Sequence, residues 1–300
     1  MNFKPSYIKL LQGGAFLEKV KGIEKYITRC YLCPHECGVD RTKEVGICGG
    51  TDKAIVSSYG PHFGEEDVLV GYNGSGTIFF GYCNMKCVYC QNFELSFYGE
   101  GNLVSDAKLA NIMLQLQNHY KCHNINLVTP THFVSNILKS IYIAAQEGLK
   151  LPIVYNCGGY ESIEILKILD GIIDIYMPDF KYNSPERAKK YSKVENYPEK
   201  AKLALKEMDR QVNGLKVDER GIACRGLLIR HLVLPGGLED TKKVLKFIKE
   251  ELSPGCLVNL MNQYYPSHKA FEYEEIAKGL SFMEYQQAYD YAKELGLRLA

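Results

Sequence analysis

Along most of the chain, short apolar runs rich in β-formers alternate with longer stretches whose apolar positions recur every three to four residues. The runs are Thr77–Phe80, Ile125–Val128, Leu151–Tyr155, Ile172–Tyr176, Leu227–Leu234 and Cys256–Met261. Between them, Leu109, Ile112, Met113 and Leu116 mark one helical face, and Val244, Leu245, Ile248 and Leu252 a second. Tyr285, Ala288, Tyr289 and Ala292 mark a third, all at the spacing of an amphipathic helix. Start signals agree. Ser105 is placed to cap one helix, and Ser184-Pro185-Glu186 orders cap, first-turn proline and acidic residue at the start of another.

Six strand-then-helix units predict a parallel sheet with helices outside it. Strands of nearly continuous apolar character are what a sheet covered on both faces requires. A doubly wound open sheet and a barrel both fit this rhythm. Residues 1–70 lie outside it, being turn-rich; they are read as a small cysteine-rich N-terminal appendage to an α/β domain over residues 71–300.

The 300 residues are 46% hydrophobic and 24% charged, enough for a full core. Lys and Arg total 36 against 35 for Asp and Glu, a net charge of +1, which argues against a bulk electrostatic footprint for nucleic acid or an anionic membrane. No apolar run approaches the roughly 18 residues of a membrane span. The start, Met1-Asn2-Phe3-Lys4-Pro5, lacks the apolar stretch of a signal peptide. A cytoplasmic protein without membrane partners is the expectation.

Eleven cysteines change the picture. A reducing compartment and a chain of this size both speak against disulfides, and the spacing is clustered. Cys30, Cys33, Cys37 and Cys48 form one group and Cys83, Cys87 and Cys90 another, while Cys122, Cys157, Cys224 and Cys256 are scattered. Clustered thiols in such a chain point to metal or redox chemistry; the scattered ones are read as small buried hydrophobes.

The segment Gly81-Tyr82-Cys83-Asn84-Met85-Lys86-Cys87-Val88-Tyr89-Cys90-Gln91-Asn92 follows directly on the first run. Three thiols within eight residues can converge on one centre, but a closed structural zinc site wants four ligands. A four-iron cluster on three thiolates leaves one iron open to an exogenous ligand. The alternative is a structural metal knuckle that borrows a fourth ligand.

This C-x3-C-x2-C arrangement, with Tyr89 just before the last cysteine, resembles the signature of radical S-adenosylmethionine (SAM) enzymes. The longer string Cys-Asn-Met-Lys-Cys-Val-Tyr-Cys-Gln-Asn is similar to the branch containing pyruvate formate-lyase activating enzyme and its relatives. The resemblance runs from about Gly76 to the C-terminus. It implies a partial (β/α)6 TIM-type barrel in which Cys83, Cys87 and Cys90 ligate a [4Fe–4S] cluster whose fourth iron is chelated by the methionine moiety of SAM. It also implies reductive cleavage to a 5′-deoxyadenosyl radical that abstracts a hydrogen atom, with an electron donor such as flavodoxin or ferredoxin. The cofactor supplies that chemistry, and the protein orients it and excludes competing reactions.

A parallel barrel places its active site at the C-terminal strand ends. Those ends carry Thr129-Pro130-Thr131-His132, Asn156-Cys157-Gly158-Gly159, Pro178-Asp179-Phe180-Lys181, Pro235-Gly236-Gly237 and Asn262-Gln263-Tyr264. Asp179 and Lys181 resemble the Asp-x-Lys pair of glycyl-radical activating enzymes; at alternate positions of an extended segment they project to one side. The alternative is a loop ion pair. Arg230 interrupts a run that should be apolar on both faces, and a buried guanidinium demands an anion. Arg230-His231-Leu232-Val233-Leu234-Pro235-Gly236 resembles the fifth-strand motif of those enzymes, which implies a contact to the cofactor carboxylate; a buried Asp or Glu partner is the alternative. His231, of opposite parity, is expected to face the outer helices. Many members of the superfamily carry Gly-Gly-Glu after the second strand, where this chain has Thr129-Pro130-Thr131. The cofactor contacts therefore fall, by resemblance, on Tyr89, Thr129, Thr131, Asn156, Gly158, Asp179, Lys181 and Arg230.

Cys30-x2-Cys33-x3-Cys37-x10-Cys48 offers four soft ligands with turns at Pro34, Gly38, Gly46 and Gly49, suited equally to zinc or to a second iron–sulfur cluster. His35 and His62 are substitute ligands or ordinary loop residues. The leading expectation is thus a radical SAM enzyme, its substrate by resemblance a glycine in a partner protein. Within the class, a small molecule or tRNA is the alternative, with the balanced charge against tRNA. Outside it stands a metal-stapled binding protein without turnover.

Overall fold

The computed structural model describes residues 3–300. Ten strands form its sheet: β1 (Ala54–His62), β2 (Ser75–Phe80), β3 (Asn102–Val104), β4 (Ile125–Val128), β5 (Ile153–Cys157), β6 (Ile175–Pro178), β7 (Lys216–Val217), β8 (Ala223–Leu232), β9 (Leu257–Met261) and β10 (Arg298–Leu299). The order is β10-β9-β8-β6-β5-β4-β2-β1-β3, with β7 pairing on β8. From β2 to β10 the neighbours along this path are parallel, while β1 runs antiparallel to both β2 and β3. The six predicted apolar runs are therefore the six long parallel strands. The sheet ends at β3 and β10 without closing, and the fold is an open, partial TIM-type barrel.

Strand alternation divides the residues between lumen and outer layer. Val154, Ile175, Met177, Leu228 and Leu257 face inward and form one small cluster with Leu69. Ile153, Tyr155, Tyr176, Leu227, Ile229 and Val258 belong to the main core with the surrounding helices. Those helices form where the apolar spacing places them. Asp106–Asn118 buries Leu109, Ile112, Met113 and Leu116, and the Ser105 hydroxyl accepts the Lys108 N–H at its start, a cap whose loss costs about 1 kcal/mol. Pro185–Ser192 begins in the same way on Ser184. In Phe282–Glu294 only Ala288 and Ala292 are fully buried. No helix among the described residues is long and apolar enough to cross a membrane.

The first 70 residues hold more regular structure than their turn-rich composition suggests. Ser6–Gln12 and Ala15–Thr28 are helices, the second burying Phe16, Val20, Ile23 and Tyr26, and their buried side chains belong to the main core. β1 adds an antiparallel strand to the edge of β2. The short helix Asp67–Val70 inserts Leu69 into the lumen, plugging the barrel end opposite the strand C-termini.

Candidate active site

All six long parallel strands contribute to one cavity of about 290 Å³ at their C-terminal ends. Phe79 and Phe80 come from β2, Thr129 follows β4, and Asn156, Cys157 and Gly158 close β5. Asp179 and Lys181 follow β6, Arg230 and Leu232 lie on β8, and Met261 and Gln263 end β9. Asn156, Asp179 and Arg230 reach it because each has the inward parity of its strand. Gly159 has φ of +79°, and a Cβ there would sit 2.2 Å from the Asp179 carbonyl oxygen; only glycine lets these two strand ends approach. Thr129 adopts φ of +60°, a costly conformation for a β-branched residue of the kind that collects at functional sites.

Cys83, Cys87 and Cys90 line the same cavity with Tyr89. The loop folds its backbone around the sulfurs: the Met85 N–H donates to Cys83 Sγ at 3.3 Å, and backbone N–H groups of Lys86 and Asn92 donate to Cys83 and Cys90. Ser192 Oγ donates to Cys87 Sγ at 3.0 Å, and Ser96 Oγ lies 3.2 Å from Cys90 Sγ. Behind them the Tyr182 hydroxyl is 2.6 Å from that of Tyr89 and 2.9 Å from Ser192 Oγ. Burial pushes the Cys83 thiol up to about 12, with Cys87 adding to it, and Cys90 is also raised, chiefly by burial. A ligand that takes these sulfurs as thiolates must therefore displace their protons. Among the described residues no group of three or more Cys, His, Asp or Glu side chains is arranged to hold a single metal ion.

Opposite them lies a charged network. Lys181 Nζ donates to Asp179 Oδ2 at 2.6 Å, and Arg230 Nε to Asp179 Oδ1 at 3.0 Å. Arg230 Nη2 donates to Asn156 Oδ1 at 2.8 Å, and Arg230 Nη1 lies 3.6 Å from Glu65 Oε2. Burial would raise the Asp179 carboxyl, but Lys181 and Arg230 outweigh it and hold it below its ordinary value. The Tyr197 hydroxyl accepts the Lys181 backbone N–H at 2.8 Å and faces the carbonyls of Asp179 and Gly158 at 2.9 and 3.0 Å, locking the segment. Two cations thus meet the Asp179 carboxylate directly and Glu65 at 3.6 Å, a nearly balanced charged wall whose guanidinium and ammonium donors can also meet an anionic group.

Of the residues expected here, Thr131 goes elsewhere. It is buried outside this cavity and donates to Glu161 Oε1 at 2.7 Å. His231 faces outward as its parity demands, donating to the Phe180 carbonyl and accepting from Thr241 on the helix Leu238–Glu251. None of Cys30, Cys33, Cys37 and Cys48 lines the cavity. Sequence reasoning missed Glu65, which faces Arg230 from the plug segment, and Ser192, which reaches Cys87 across 105 positions. It also missed Cys157 as a cavity residue; the only signal was its place at a strand end.

An open parallel barrel with a thiol-bearing loop and a charged network at its mouth defines a class of cofactor-dependent α/β-barrel enzymes. Residues 77–248 match the Radical SAM superfamily, and the chain belongs to it. The superfamily carries out SAM-dependent radical chemistry with a [4Fe–4S] cluster. Two proteins of Methanocaldococcus jannaschii are similar over most of their lengths. The uncharacterized protein MJ0674 is 33% identical over 94% of this chain and 79% of its own. The uncharacterized protein MJ0808 is 22% identical over 80% of this chain and 72% of its own. Among solved structures, Streptococcus suis SuiB shares the fold at a TM-score of 0.50 and 12% identity, covering 73% of this chain. The match spans about half of SuiB, 47% of that chain.

Proposed function

We propose that this chain is a radical SAM enzyme of the activating-enzyme kind, with Cys83, Cys87 and Cys90 holding the cluster and a glycine in a partner protein as the hydrogen donor. When bound, cluster and SAM supply one-electron cleavage of the cofactor to a 5′-deoxyadenosyl radical, which takes a hydrogen atom from substrate. The observation that carries the reading is the single cavity onto which three thiols and the Asp179–Lys181–Arg230 network both open. The residues fit: three sulfurs surrounded by backbone N–H and hydroxyl donors suit thiolate ligands and leave one iron for the cofactor.

Arg230 and Lys181 are the groups that orient the carboxylate of SAM. Asp179 keeps both cations in place and offers lone pairs to ammonium or ribose hydroxyls. Asn156 holds the Arg230 guanidinium, and Gly158 gives backbone access. Tyr89, packed against Tyr182, Tyr191 and Tyr264, closes the loop's inner side and excludes water. The open sheet leaves a side through which a large substrate can enter. SuiB has been crystallised bound to its precursor peptide, in keeping with a peptide or protein substrate for this fold. An electron donor of the flavodoxin or ferredoxin type completes the scheme.

Anaerobic reconstitution with iron, sulfide, a strong reductant and SAM tests the reading through 5′-deoxyadenosine. Its formation is expected, with deuterium transfer from a glycine-labelled partner that co-purifies. No 5′-deoxyadenosine from a fully loaded protein would overturn the radical reading. Turnover in which the deuterium comes from a small molecule would overturn only the choice of substrate.

A further inference from the structure

Two consecutive carboxylates, Glu65 and Glu66, enter the barrel from the plug segment between β1 and the helix Asp67–Val70. Glu65 Oε2 faces Arg230 Nη1 at 3.6 Å, with its side chain 8% exposed. Glu66 Oε1 accepts the Asn259 Nδ2–H from β9 at 2.9 Å, while its Oε2 is buried with no hydrogen-bond partner. Both glutamates, with Asp179, act on the Arg230 guanidinium. Three carboxylates therefore stand against two cations, Arg230 and Lys181. On Glu65 itself, Arg230 from β8 and Glu66 from its own segment are the charged groups that act, and Asn126 from β4 adds a neutral amide.

The three arms of Arg230 are not held equally. Nε donates to Asp179 and Nη2 to Asn156, both within hydrogen-bond distance, whereas Nη1 has only the longer ion pair with Glu65. Nη1 is thus the arm most easily given to a ligand. A second carboxylate arriving there meets Glu65 in a buried space, where like charges push a proton onto one of them. Glu65 is already disposed to take it. Burial pushes its carboxyl up to about 6, with Arg230 pulling it back and Glu66 adding to the rise. Once protonated, it needs an acceptor for its O–H, and the unpartnered Glu66 Oε2 is one.

We propose that Glu65 is a positioning residue for Arg230, an exchangeable counter-ion that holds the guanidinium until a ligand carboxylate takes over Nη1 and Glu65 accepts a proton. The exchange balances. The ligand carboxylate replaces Glu65 on Nη1, one proton passes from solvent to Glu65, and the new O–H donates to Glu66. The charge of the wall is then the same before and after the carboxylate binds, which spares the buried site an added negative charge. The proposal rests on the reading that Arg230 meets the carboxylate of SAM. Binding is consequently tied to proton uptake: it is favoured at low pH and weakens as pH rises above the value at which free Glu65 loses its proton.

The test is calorimetric titration of SAM into the anaerobically reconstituted full chain without reductant, so that binding is read and no cleavage occurs. Wild type and Glu65→Gln are compared in buffers of different ionisation heat and across pH 6 to 8. Wild type is expected to take up most of one proton per SAM at neutral pH, with affinity falling up to ~10-fold per pH unit. Glu65→Gln should lose that uptake and flatten that slope. The amine of SAM and the buried Glu161 titrate alike in both chains and cancel in the comparison. Equal proton uptake and equal slopes overturn the proposal. If Glu65→Gln does not fold, infrared difference spectra of wild type decide. SAM binding should raise a protonated-carboxyl band that shifts on ¹³C-glutamate labelling, and no such band overturns the proposal. Arg230→Gln separates this failure from that of the reading beneath it. Undiminished SAM affinity in Arg230→Gln removes the carboxylate contact itself, whereas weakened affinity there, with no proton uptake in wild type, removes Glu65 alone.

Discussion

The three-cysteine loop and the four-cysteine knuckle are built from the same local device, a tight turn whose N–H groups point at sulfur, yet they are placed for different ends. The loop lies at the mouth of the barrel, its sulfurs lining a cavity that also holds two cations and a carboxylate. The knuckle lies beside that mouth, outside the cavity, with a single unpaired guanidinium for company. The loop sulfurs share the cavity with Asp179, Lys181 and Arg230, whereas none of the four knuckle cysteines lines it. Location, rather than the presence of thiols, separates the two groups.

The largest expected effect contrasts the two directly. Cys87→Ala should reduce 5′-deoxyadenosine formation by the reconstituted chain to background. Cys33→Ala with Cys48→Ala should leave some cleavage and instead raise hydrogen exchange across residues 82–92. Equal loss of cleavage in both variants would erase the functional distinction.

Next in size is the charged wall that only the loop possesses. Asp179→Ala leaves Lys181 and Arg230 buried with only Glu65, 3.6 Å from Arg230, and the charge of Glu66 to balance them. Losing one partner of a buried ion pair costs about 3–5 kcal/mol, which urea unfolding would read, and SAM binding should weaken with it. Because the two cations hold the Asp179 pKa down, its contribution is present above the ordinary carboxylate range and is lost as pH falls through the lowered value.

The smallest expected effect probes the partition between the regions. Glu161 accepts from Thr131 and Tyr155, at 2.7 and 3.1 Å, and interacts with Cys157 on the cavity side and Cys33 on the knuckle side. Burial pushes it up to about 7 against three hydrogen bonds that favour its charge. In the metal-free chain the folded state keeps a proton that the unfolded chain gives up near pH 4.5. Folding stability from this group is therefore full below that pH and falls by ~3 kcal/mol as pH rises to about 7. Glu161→Gln should flatten that part of the pH–stability curve, equal to wild type in acid and more stable at pH 8. An unchanged slope would move the titration elsewhere.

Much of this was legible in the residues. The parallel barrel was, because six buried strands need six apolar runs and the helices between them repeat every 3.6 positions. The thiol loop was, because its three cysteines fall within eight residues. The inward placement of Asp179 and Arg230 followed from a strand period of two. Thr131 was misplaced among the cavity residues because the 3-10 turn Thr131–Phe133 carries it off the strand's alternation. β1 went unread as an edge strand because its pairing with β2 is antiparallel and outside the β-then-α rhythm.

The elements, the sulfur groups and the parity of the strand-end polar residues are written in the residue order, since these depend on local spacing and on the burial each element needs. The partners emerge from the folded arrangement: Glu65 facing Arg230, Ser192 on Cys87, and Arg41 buried without a carboxylate partner. Those contacts join segments up to 165 positions apart. No local rule relates their spacing, because proximity there is set by how the sheet curls and which loops it brings together.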